Sequence, residues 1–166
     1  MSQMEKKMDQ IGVMRAPRVI LFGGGQRFGV GRVAQMIGTR ALVCTDSRFA
    51  ADKEMAALLG SLGEAGVESS VFDGTEAELP LAGIIEGLEF ARSFAPDLVI
   101  GIGGGSCLDM AKVVSLLLTH DAPVDSFYGE NKVPGPVLPV IAMPTTAGTG
   151  SEVTPVAVLG VSSRSL

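Results

Sequence analysis

The sequence has very little of several residue types that mark particular classes of protein. Its 166 residues include two cysteines, one histidine and no tryptophan. The two cysteines, Cys44 and Cys107, are too few for a secreted disulfide scaffold, and we interpret them as reduced thiols. The single histidine, His120, is not enough for a His-rich metal site, so we expect it to make an ordinary polar contact at a helix end.

Long apolar runs and clustered positive charges are also missing. No stretch approaches the ~18 uninterrupted apolar residues of a membrane span, and the N-terminal MSQMEKKMDQ lacks the apolar core of a signal peptide. The formal net charge is -5, and the lysines and arginines are scattered rather than gathered in a stripe. We therefore predict a cytoplasmic protein that binds neither a membrane nor a nucleic acid.

What the sequence does have is apolar residues and glycine. Hydrophobic residues make up 46% of the chain, the mean hydropathy is +0.38, and many of the 22 glycines cluster in short runs. Such an apolar chain can bury a core, which excludes a disordered protein, and clustered glycines are typical of tight turns near a ligand. We predict one domain over residues 1–166, with its core at about 18–159 and no second domain.

Apolar, β-rich runs alternate with stretches of helical periodicity along this domain. We predict strands at 18–22, 41–44, 67–72, 97–102, 137–143 and 153–159, and helices at 31–37, 50–64, 81–94 and 108–118. The strands are continuously apolar, as in a parallel sheet covered on both faces. The pattern predicts an α/β fold with a doubly wound, Rossmann-like, mainly parallel sheet whose ligands lie at the carboxyl ends of the strands.

The strongest local motif is GGGSCLDMAK at residues 103–112, between a predicted strand and a predicted helix. Glycines let backbone amides approach a phosphate, the helix N-terminus favours an anion, and Ser106 adds a hydroxyl. The alternative is a tight turn in which Ser106 caps the helix and Asp109 completes a capping box. We favour phosphate binding because a turn alone rarely requires three consecutive glycines.

A second loop, PTTAGTGSEV at residues 144–153, follows the fifth predicted strand. Its hydroxyls and interleaved glycines favour hydrogen bonds to a ribose, a pyrophosphate or a carboxamide, whereas the alternative is simply a flexible loop. We expect residues 145–151 and 103–106 to converge on one cleft, because both segments follow strands of the same sheet.

Asp46 follows the second predicted strand, about twenty residues after the first glycine turn, where dinucleotide-binding folds place an acid on the adenosine ribose. A carboxylate there repels a 2′-phosphate, so the position predicts NAD rather than NADP. The alternatives are that Asp46 only caps a helix, or that nearby Arg48 admits NADP. The segment GVGRVA at residues 29–34 matches the dinucleotide fingerprint but is not directly at a strand end, and we interpret it as a helix start.

With both glycine loops placed, the chain resembles the iron-containing (group III) alcohol dehydrogenases from about residue 19 to 159. The likeness is carried by GGGS, Asp109 and AK within residues 103–112, by GENK at 129–132 and by PTTAGTGSEVT at 144–154. The shorter segments FGGG at 22–25, TD at 45–46 and VFDG at 71–74 agree in order.

The resemblance implies an N-terminal NAD(P)-binding α/β domain followed by an all-helical domain that is absent from this chain. It implies that the pyrophosphate lies on Gly104, Gly105 and Ser106 and that the nicotinamide end lies near Asp109. It also implies that the cofactor is lined by Thr145, Thr146, Thr149, Ser151 and Val153. Asp46 completes the predicted cofactor-binding positions. The family holds Fe²⁺ or Zn²⁺ through one Asp and three His in the helical domain, so we assign no metal ligand and no catalytic residue here.

The implied activity is reversible hydride transfer between NAD(P) and a small alcohol or its aldehyde or ketone, assisted by the metal in full-length members. The alternatives are a metal-independent oxidoreductase similar to maleylacetate reductase, and a truncated nucleotide-binding module without catalysis. Residues 160–166 replace the usual continuation of the family, through truncation, fragmentation or a frameshift. We therefore expect an incomplete enzyme that self-associates as a homo-oligomer through exposed apolar surface.

Overall fold

The computed structural model describes residues 15–160, which form a four-stranded sheet flanked by helices. Strands β1 (Arg40–Cys44), β2 (Glu68–Phe72), β3 (Leu98–Gly103) and β4 (Val140–Pro144) lie in the order β2-β1-β3-β4. All neighbouring strands are parallel, and the central Val43 lies opposite Val71 on one side and Ile100 on the other. The predicted parallel sheet is confirmed, and its four strands match four of the six predicted runs to within three residues.

Helices connect the strands. They are α1 (Val30–Ala34), α2 (Ser47–Ala50), α3 (Lys53–Glu64), α4 (Leu81–Phe94) and α5 (Gly105–Thr119), with short 3-10 helices at Gln26–Gly29, Val124–Phe127 and Ser151–Val153. The helix predicted at 50–64 is α3, which begins three residues later than predicted, because the Asp52 side chain accepts a hydrogen bond from the Glu54 N–H at 2.9 Å and caps the helix there. Ala50 ends the separate helix α2. Within residues 15–160, no helix is long and apolar enough to cross a membrane.

The two faces of the sheet carry separate apolar layers. Alternate residues of β1 point to opposite faces, so Leu42 and Cys44 belong to one layer and Ala41 and Val43 to the other. Helices α4 and α5 cover the first layer, and α1 and α3 cover the second. This arrangement confirms the doubly wound fold, in which parallel strands are buried on both faces.

The fingerprint-like segment at residues 29–34 serves helix packing. A Cβ added to Gly31 would lie 1.9 Å from the Ser61 carbonyl oxygen, and the Gly31 N–H donates to the Ser61 hydroxyl at 3.1 Å. Glycine is therefore required for the close approach of α1 to α3, and α1 begins at Val30. The interpretation of this segment as a helix start is confirmed.

The strand predicted at residues 18–22 is wrong. These residues belong to no strand of the sheet, and their apolar side chains are exposed, with Phe22 97% accessible. Apolar, β-branched composition gives a preference for extended backbone, but a strand also needs a partner edge and a surface on which to pack. Residues 18–22 have neither within the described part of the chain.

The strand predicted at residues 153–159 is also wrong. Val153 ends a 3-10 helix, and the backbone that follows is bonded to side chains instead of to a neighbouring strand. The Lys112 ammonium donates to the Val156 carbonyl at 2.7 Å, and the Val158 N–H donates to Asp109 at 2.9 Å. These bonds take up backbone groups that a strand ladder would use.

A carboxylate fastens the amino-terminal ends of β1 and β3. Asp97 accepts hydrogen bonds from the backbone N–H of Thr39 and of Arg40 at 2.8 Å each, and from the Thr39 hydroxyl at 2.9 Å. Burial alone would raise the pKa of Asp97, but these hydrogen bonds outweigh it and hold that pKa below its usual value. The bonds favour the ionised carboxylate. They also link Asp97, just before β3, to Arg40, which begins β1 and lies 57 residues earlier in the chain.

Candidate nucleotide-binding site

The two glycine-containing loops meet at the carboxyl edge of the sheet. The Thr145 N–H donates to the Gly103 carbonyl at 2.9 Å, which joins the loop after β4 to the turn after β3. A Cβ added to Gly104 would lie 3.8 Å from the Thr146 hydroxyl, and one added to Gly105 would lie 3.2 Å from the Thr149 methyl group. The predicted convergence of residues 103–106 with residues 145–151 is confirmed.

The turn after β3 is built for a close approach of backbone. Gly103 has a φ of +142°, and a Cβ there would lie 2.6 Å from the Cys107 sulfur. Helix α5 then begins at Gly105, and its first backbone bonds run from the Cys107 and Leu108 N–H groups to the Gly104 carbonyl, at 3.0 and 3.3 Å. The amides of Gly105 and Ser106 come before these bonds, at the helix end where N–H groups have no intrahelical partner.

The capping-box alternative for this turn is wrong. Gly104 occupies the N-cap position, and no side chain caps α5. Ser106 lies inside the first turn, half-buried, so its hydroxyl is not used as the cap. A 15-residue helix whose first amides have no cap presents partial positive charge at the carboxyl edge of the sheet.

Asp46 lies at the same edge, after β1, next to this turn. A Cβ on Gly103 would lie 4.0 Å from Asp46 Oδ2, and the Cys107 sulfur is 3.9 Å from the same oxygen. Asp46 Oδ1 accepts from the Arg48 and Phe49 N–H groups at 2.9 and 3.1 Å, so the side chain does cap the short helix α2. Partial burial would raise the pKa of Asp46, but the hydrogen bonds from Arg48 and Phe49 hold that pKa below its usual value.

Both cysteines lie beside this edge and are reduced. Cys44 and Cys107 are free and buried. Burial, with a smaller contribution from the nearby Asp46 carboxylate, raises the pKa of the Cys107 thiol to about 11, and burial also raises the pKa of Cys44. Both thiols are therefore protonated at neutral pH, and Cys107 acts as a small apolar packing group under the glycine turn.

A buried cluster of charged and polar groups holds the second loop onto α5. The Lys112 ammonium donates to Asp109 Oδ1 at 3.0 Å and to the Ser151 hydroxyl at 2.7 Å, and the Ser151 hydroxyl donates to Asp109 Oδ1 at 2.5 Å. The Asp109 side chain is only 10% exposed and that of Lys112 only 18%. We call Asp109, Lys112 and Ser151 the clamp.

Two residues that the sequence assigns to the cofactor, Asp109 and Ser151, form hydrogen bonds within the clamp instead. Both carboxylate oxygens of Asp109 are occupied within the protein, and Ser151 is bonded to Asp109 and Lys112. Sequence reasoning did not assign Lys112 a role. The three-residue spacing of Asp109 and Lys112 on a helix indicates a pair, but nothing in the sequence indicates that Ser151 joins them.

The remaining predicted positions line the open side of the second loop. Thr145, Thr146 and Thr149 are exposed at the edge beside residues 103–106, and Val153 is exposed at the end of the 3-10 helix that Ser151 begins. All ten predicted cofactor positions therefore lie in three neighbouring segments, after β1, β3 and β4. Seven of them border the edge, Asp109 and Ser151 lie behind it, and Val153 is exposed at the end of the 3-10 helix.

Sequence comparison over almost the whole chain identifies the protein family to which it belongs. The family described as iron-containing alcohol dehydrogenase matches residues 17–165. The chain belongs to this family. Its parallel sheet and the helices that cover it are those of the family's N-terminal, Rossmann-like domain.

Individual family members confirm the likeness. The sulfoacetaldehyde reductase of Bilophila wadsworthia is 36% identical over 136 residues, which are 82% of this chain and 35% of that protein. The 1,3-propanediol dehydrogenase of Citrobacter freundii is 36% identical over 141 residues, 83% of this chain and 36% of that protein. The chain thus spans little more than a third of the length of these iron-containing alcohol dehydrogenase relatives.

Solved structures of the family superimpose closely. A crystal structure of 1,3-propanediol oxidoreductase gives a TM-score of 0.84 at 33% identity, covering 87% of this chain and 38% of that one. The sulfoacetaldehyde reductase of Bifidobacterium kashiwanohense, solved in complex with NAD⁺, gives 0.79 at 30% identity, covering 90% of this chain and 40% of that one.

The metal that gives the family its name does not fit the described residues. Residues 15–160 contain no group of three or more His, Cys, Asp or Glu side chains that could hold a metal ion. His120 Nε2 lies 3.0 Å from the Pro136 carbonyl oxygen, at the end of α5, as its predicted role requires. We therefore assign no step of any reaction to a metal held by this part of the chain.

Proposed function

We propose that this chain is the nucleotide-binding part of an NAD(P)-dependent alcohol dehydrogenase. The observation that carries the proposal is the junction of the two glycine loops at the carboxyl edge, where the uncapped N-terminus of α5 begins and next to which Asp46 lies. Crevices at this edge, where strand order reverses, are the usual dinucleotide sites of doubly wound sheets. Membership of the family supports the same assignment.

The residues at the edge suit the parts of a dinucleotide. The amides of Gly105 and Ser106, with the Ser106 hydroxyl, would bind the pyrophosphate, and the bare Cα of Gly104 would let it approach. Asp46 would accept a hydrogen bond from the adenosine ribose through its Oδ2, whose contact at 3.3 Å is with the exposed Arg48 side chain, because Oδ1 is occupied by the α2 cap. Thr145, Thr146, Thr149 and Val153 would line the remainder of the cofactor.

Asp109 and Ser151 contribute to the site in a different way. Together with Lys112 they fix the second loop against α5, and Asp109 would lie near the nicotinamide end without presenting a free oxygen. Bound NAD supplies the hydride chemistry that interconverts an alcohol and its aldehyde or ketone. The protein groups described here bind and orient the nucleotide for that reaction.

Substitution of Gly105 tests the proposal. Gly105→Val places a branched side chain between the start of α5 and the second loop, where even a Cβ would lie 3.2 Å from Thr149. We expect this variant to bind NAD roughly tenfold or more weakly, which corresponds to the loss of one charge-assisted hydrogen bond. The positive φ in this turn belongs to Gly103, so valine at 105 adds no backbone strain and the protein should remain folded. NAD affinity is measured by calorimetric titration of the 166-residue chain.

Gly60→Val is the matched control, because a Cβ at Gly60, on α3, meets nothing within 4 Å. This variant should bind NAD as the wild type does. A folded Gly105→Val variant with wild-type affinity would show that residues 103–106 form only a structural turn. Absence of NAD and NADP binding by the wild-type chain would contradict the proposed function itself.

A further inference from the structure

Arg48 lies beside the carboxylate that the proposed site offers to the adenosine ribose. Its Nε and one Nη are 3.4 and 3.3 Å from the two oxygens of Asp46, while its side chain is 90% exposed. The contact is formed across only two positions of the chain, at the first turn of α2. Arg48 makes no other ion pair within residues 15–160, so neither packing nor a second partner fixes its side chain.

The pair of Asp46 and Arg48 has no net charge. A carboxylate alone at this position would repel a 2′-phosphate, but here a guanidinium of opposite charge lies within 3.4 Å of it. Arg48 has five N–H donors, of which two face Asp46, so further donors remain toward solvent at the same edge. A planar guanidinium with free N–H groups is the side chain best suited to bind a phosphate through two bonds.

The number of hydrogen bonds that Asp46 can accept from a ribose is also restricted. Oδ1 already accepts two backbone N–H groups, at 2.9 and 3.1 Å, whereas Oδ2 accepts from the exposed Arg48 side chain at 3.3 Å and from the Cys107 thiol at 3.9 Å. A ligand hydroxyl can therefore compete for Oδ2. One oxygen cannot make the two-oxygen contact with both ribose hydroxyls that would strongly favour NAD. The carboxylate therefore discriminates less than its position in the sequence predicts.

We propose that Arg48 is a specificity-determining residue that receives the 2′-phosphate of NADP, so that the adenosine subsite accepts both dinucleotides. The inference rests on the proposed function, because it concerns one end of the same nucleotide site. Arg48 turns from Asp46 toward the 2′-phosphate when NADP binds, and returns to Asp46 when NAD binds. The 2′-phosphate takes over the role of the carboxylate as partner of the guanidinium.

Two mononucleotides isolate this subsite from the rest of the cofactor. Adenosine 2′,5′-bisphosphate and 5′-AMP differ only in the 2′-phosphate, and both are titrated into the 166-residue chain by NMR, which measures weak binding. We expect the wild-type chain to bind the bisphosphate at least as tightly as 5′-AMP. Arg48→Gln should weaken bisphosphate binding by roughly 10- to 100-fold, the scale of a hydrogen bond to a charged group, and change 5′-AMP binding less than about twofold.

Arg92→Gln is the matched control. Arg92 is an exposed arginine that also faces a carboxylate, Asp121 at 3.7 Å, but it lies at the end of α4 that leads to the amino-terminal edge of the sheet. Its replacement should change neither affinity. A second variant, Asp46→Asn, keeps an acceptor for the α2 cap while removing the charge, and should strengthen binding of the bisphosphate relative to 5′-AMP.

The outcomes separate the two proposals. If 5′-AMP binds and Arg48→Gln leaves bisphosphate binding unchanged, or weakens both ligands equally, the role of Arg48 is refuted and the nucleotide site stands. If neither mononucleotide binds the wild-type chain, the proposed function fails and this inference fails with it. A selective loss of bisphosphate affinity in Arg48→Gln, absent from Arg92→Gln, establishes the inference.

Discussion

The clamp predicts that Lys112 is needed to hold the second loop in place. Lys112→Met keeps the length and much of the apolar stem of the side chain but removes the ammonium group. Three hydrogen bonds are lost, to Asp109 Oδ1, to the Ser151 hydroxyl and to the Val156 carbonyl, with lengths of 3.0, 2.7 and 2.7 Å. The Asp109 carboxylate then remains in a nearly dry position without its cation.

The expected loss follows from the burial of the pair. Removing one partner of a fully buried ion pair costs about 3–5 kcal/mol, whereas an exposed pair is worth about 0–1 kcal/mol. The Lys112 and Asp109 side chains are 18% and 10% exposed, so the clamp lies closer to the buried case. We expect Lys112→Met to lower the free energy of unfolding by about 2–4 kcal/mol, which corresponds to a Tm decrease of roughly 5–15 °C in a domain of this size.

Thermal unfolding followed by circular dichroism measures this effect. Lys53→Met is the control, because Lys53 is exposed at the start of α3, and exposed substitutions usually change stability by less than about 0.5 kcal/mol. Lys112→Met should also weaken NAD binding at temperatures where it is folded, since residues 145–151 lose their attachment to α5. A Tm within about 2 °C of that of Lys53→Met would refute the argument, because that gap corresponds to only about 1 kcal/mol.

Two further substitutions separate structural residues from those of the site. Gly31→Ala should lower the free energy of unfolding by about 1–3 kcal/mol, the usual cost of overpacking, because its Cβ would lie 1.9 Å from the Ser61 carbonyl oxygen. NAD affinity of the folded protein should not change, and weaker NAD binding would reinstate residues 29–34 as a nucleotide fingerprint. Asp97→Asn should lower the urea midpoint most at neutral pH, because the pKa of Asp97 is lower in the folded protein than its value of 3.8 in the unfolded chain. Asp97 therefore stabilises the protein above that pH, its contribution is lost as the pH falls through the folded pKa, and the two midpoints should converge in acid. A difference between them that is independent of pH would contradict the role given to the ionised carboxylate.

The sheet could be predicted because its two central strands, β1 and β3, are buried on both faces. Continuous apolar runs at residues 41–44 and 98–102 leave few alternatives to a parallel sheet, and α4 matches its predicted limits at both ends. The meeting of the two glycine loops follows from the same reasoning, since both come after strands of one parallel sheet. These features depend on local sequence together with a general rule of topology.

The two strand predictions that were wrong concern segments whose structure depends on contacts with distant parts of the chain. Residues 18–22 and 153–159 have the composition of strands, but whether each one pairs is decided by the neighbour that its backbone meets. For residues 153–159 that neighbour is a pair of charged side chains, Lys112 and Asp109, which bond the backbone at Val156 and Val158. A polar cluster on a helix therefore decided the backbone structure of a segment more than forty residues away.

Asp46 and Asp109 show why residue type alone does not define a binding site. Both are carboxylates next to a glycine turn, and both are assigned to the cofactor by sequence. In the structure Asp46 is 21% exposed and its Oδ2 accepts from the exposed Arg48 side chain and, at 3.9 Å, from the Cys107 thiol. Asp109 has both oxygens bonded to Lys112, Ser151 and the Val158 N–H, and its side chain is 10% exposed. A ligand can therefore compete for Asp46 at the cost of an exposed contact with Arg48, but for Asp109 only by breaking a buried cluster. Changes at Asp46 should then alter which nucleotide binds, and changes at Asp109 should alter whether the loop that binds it is formed.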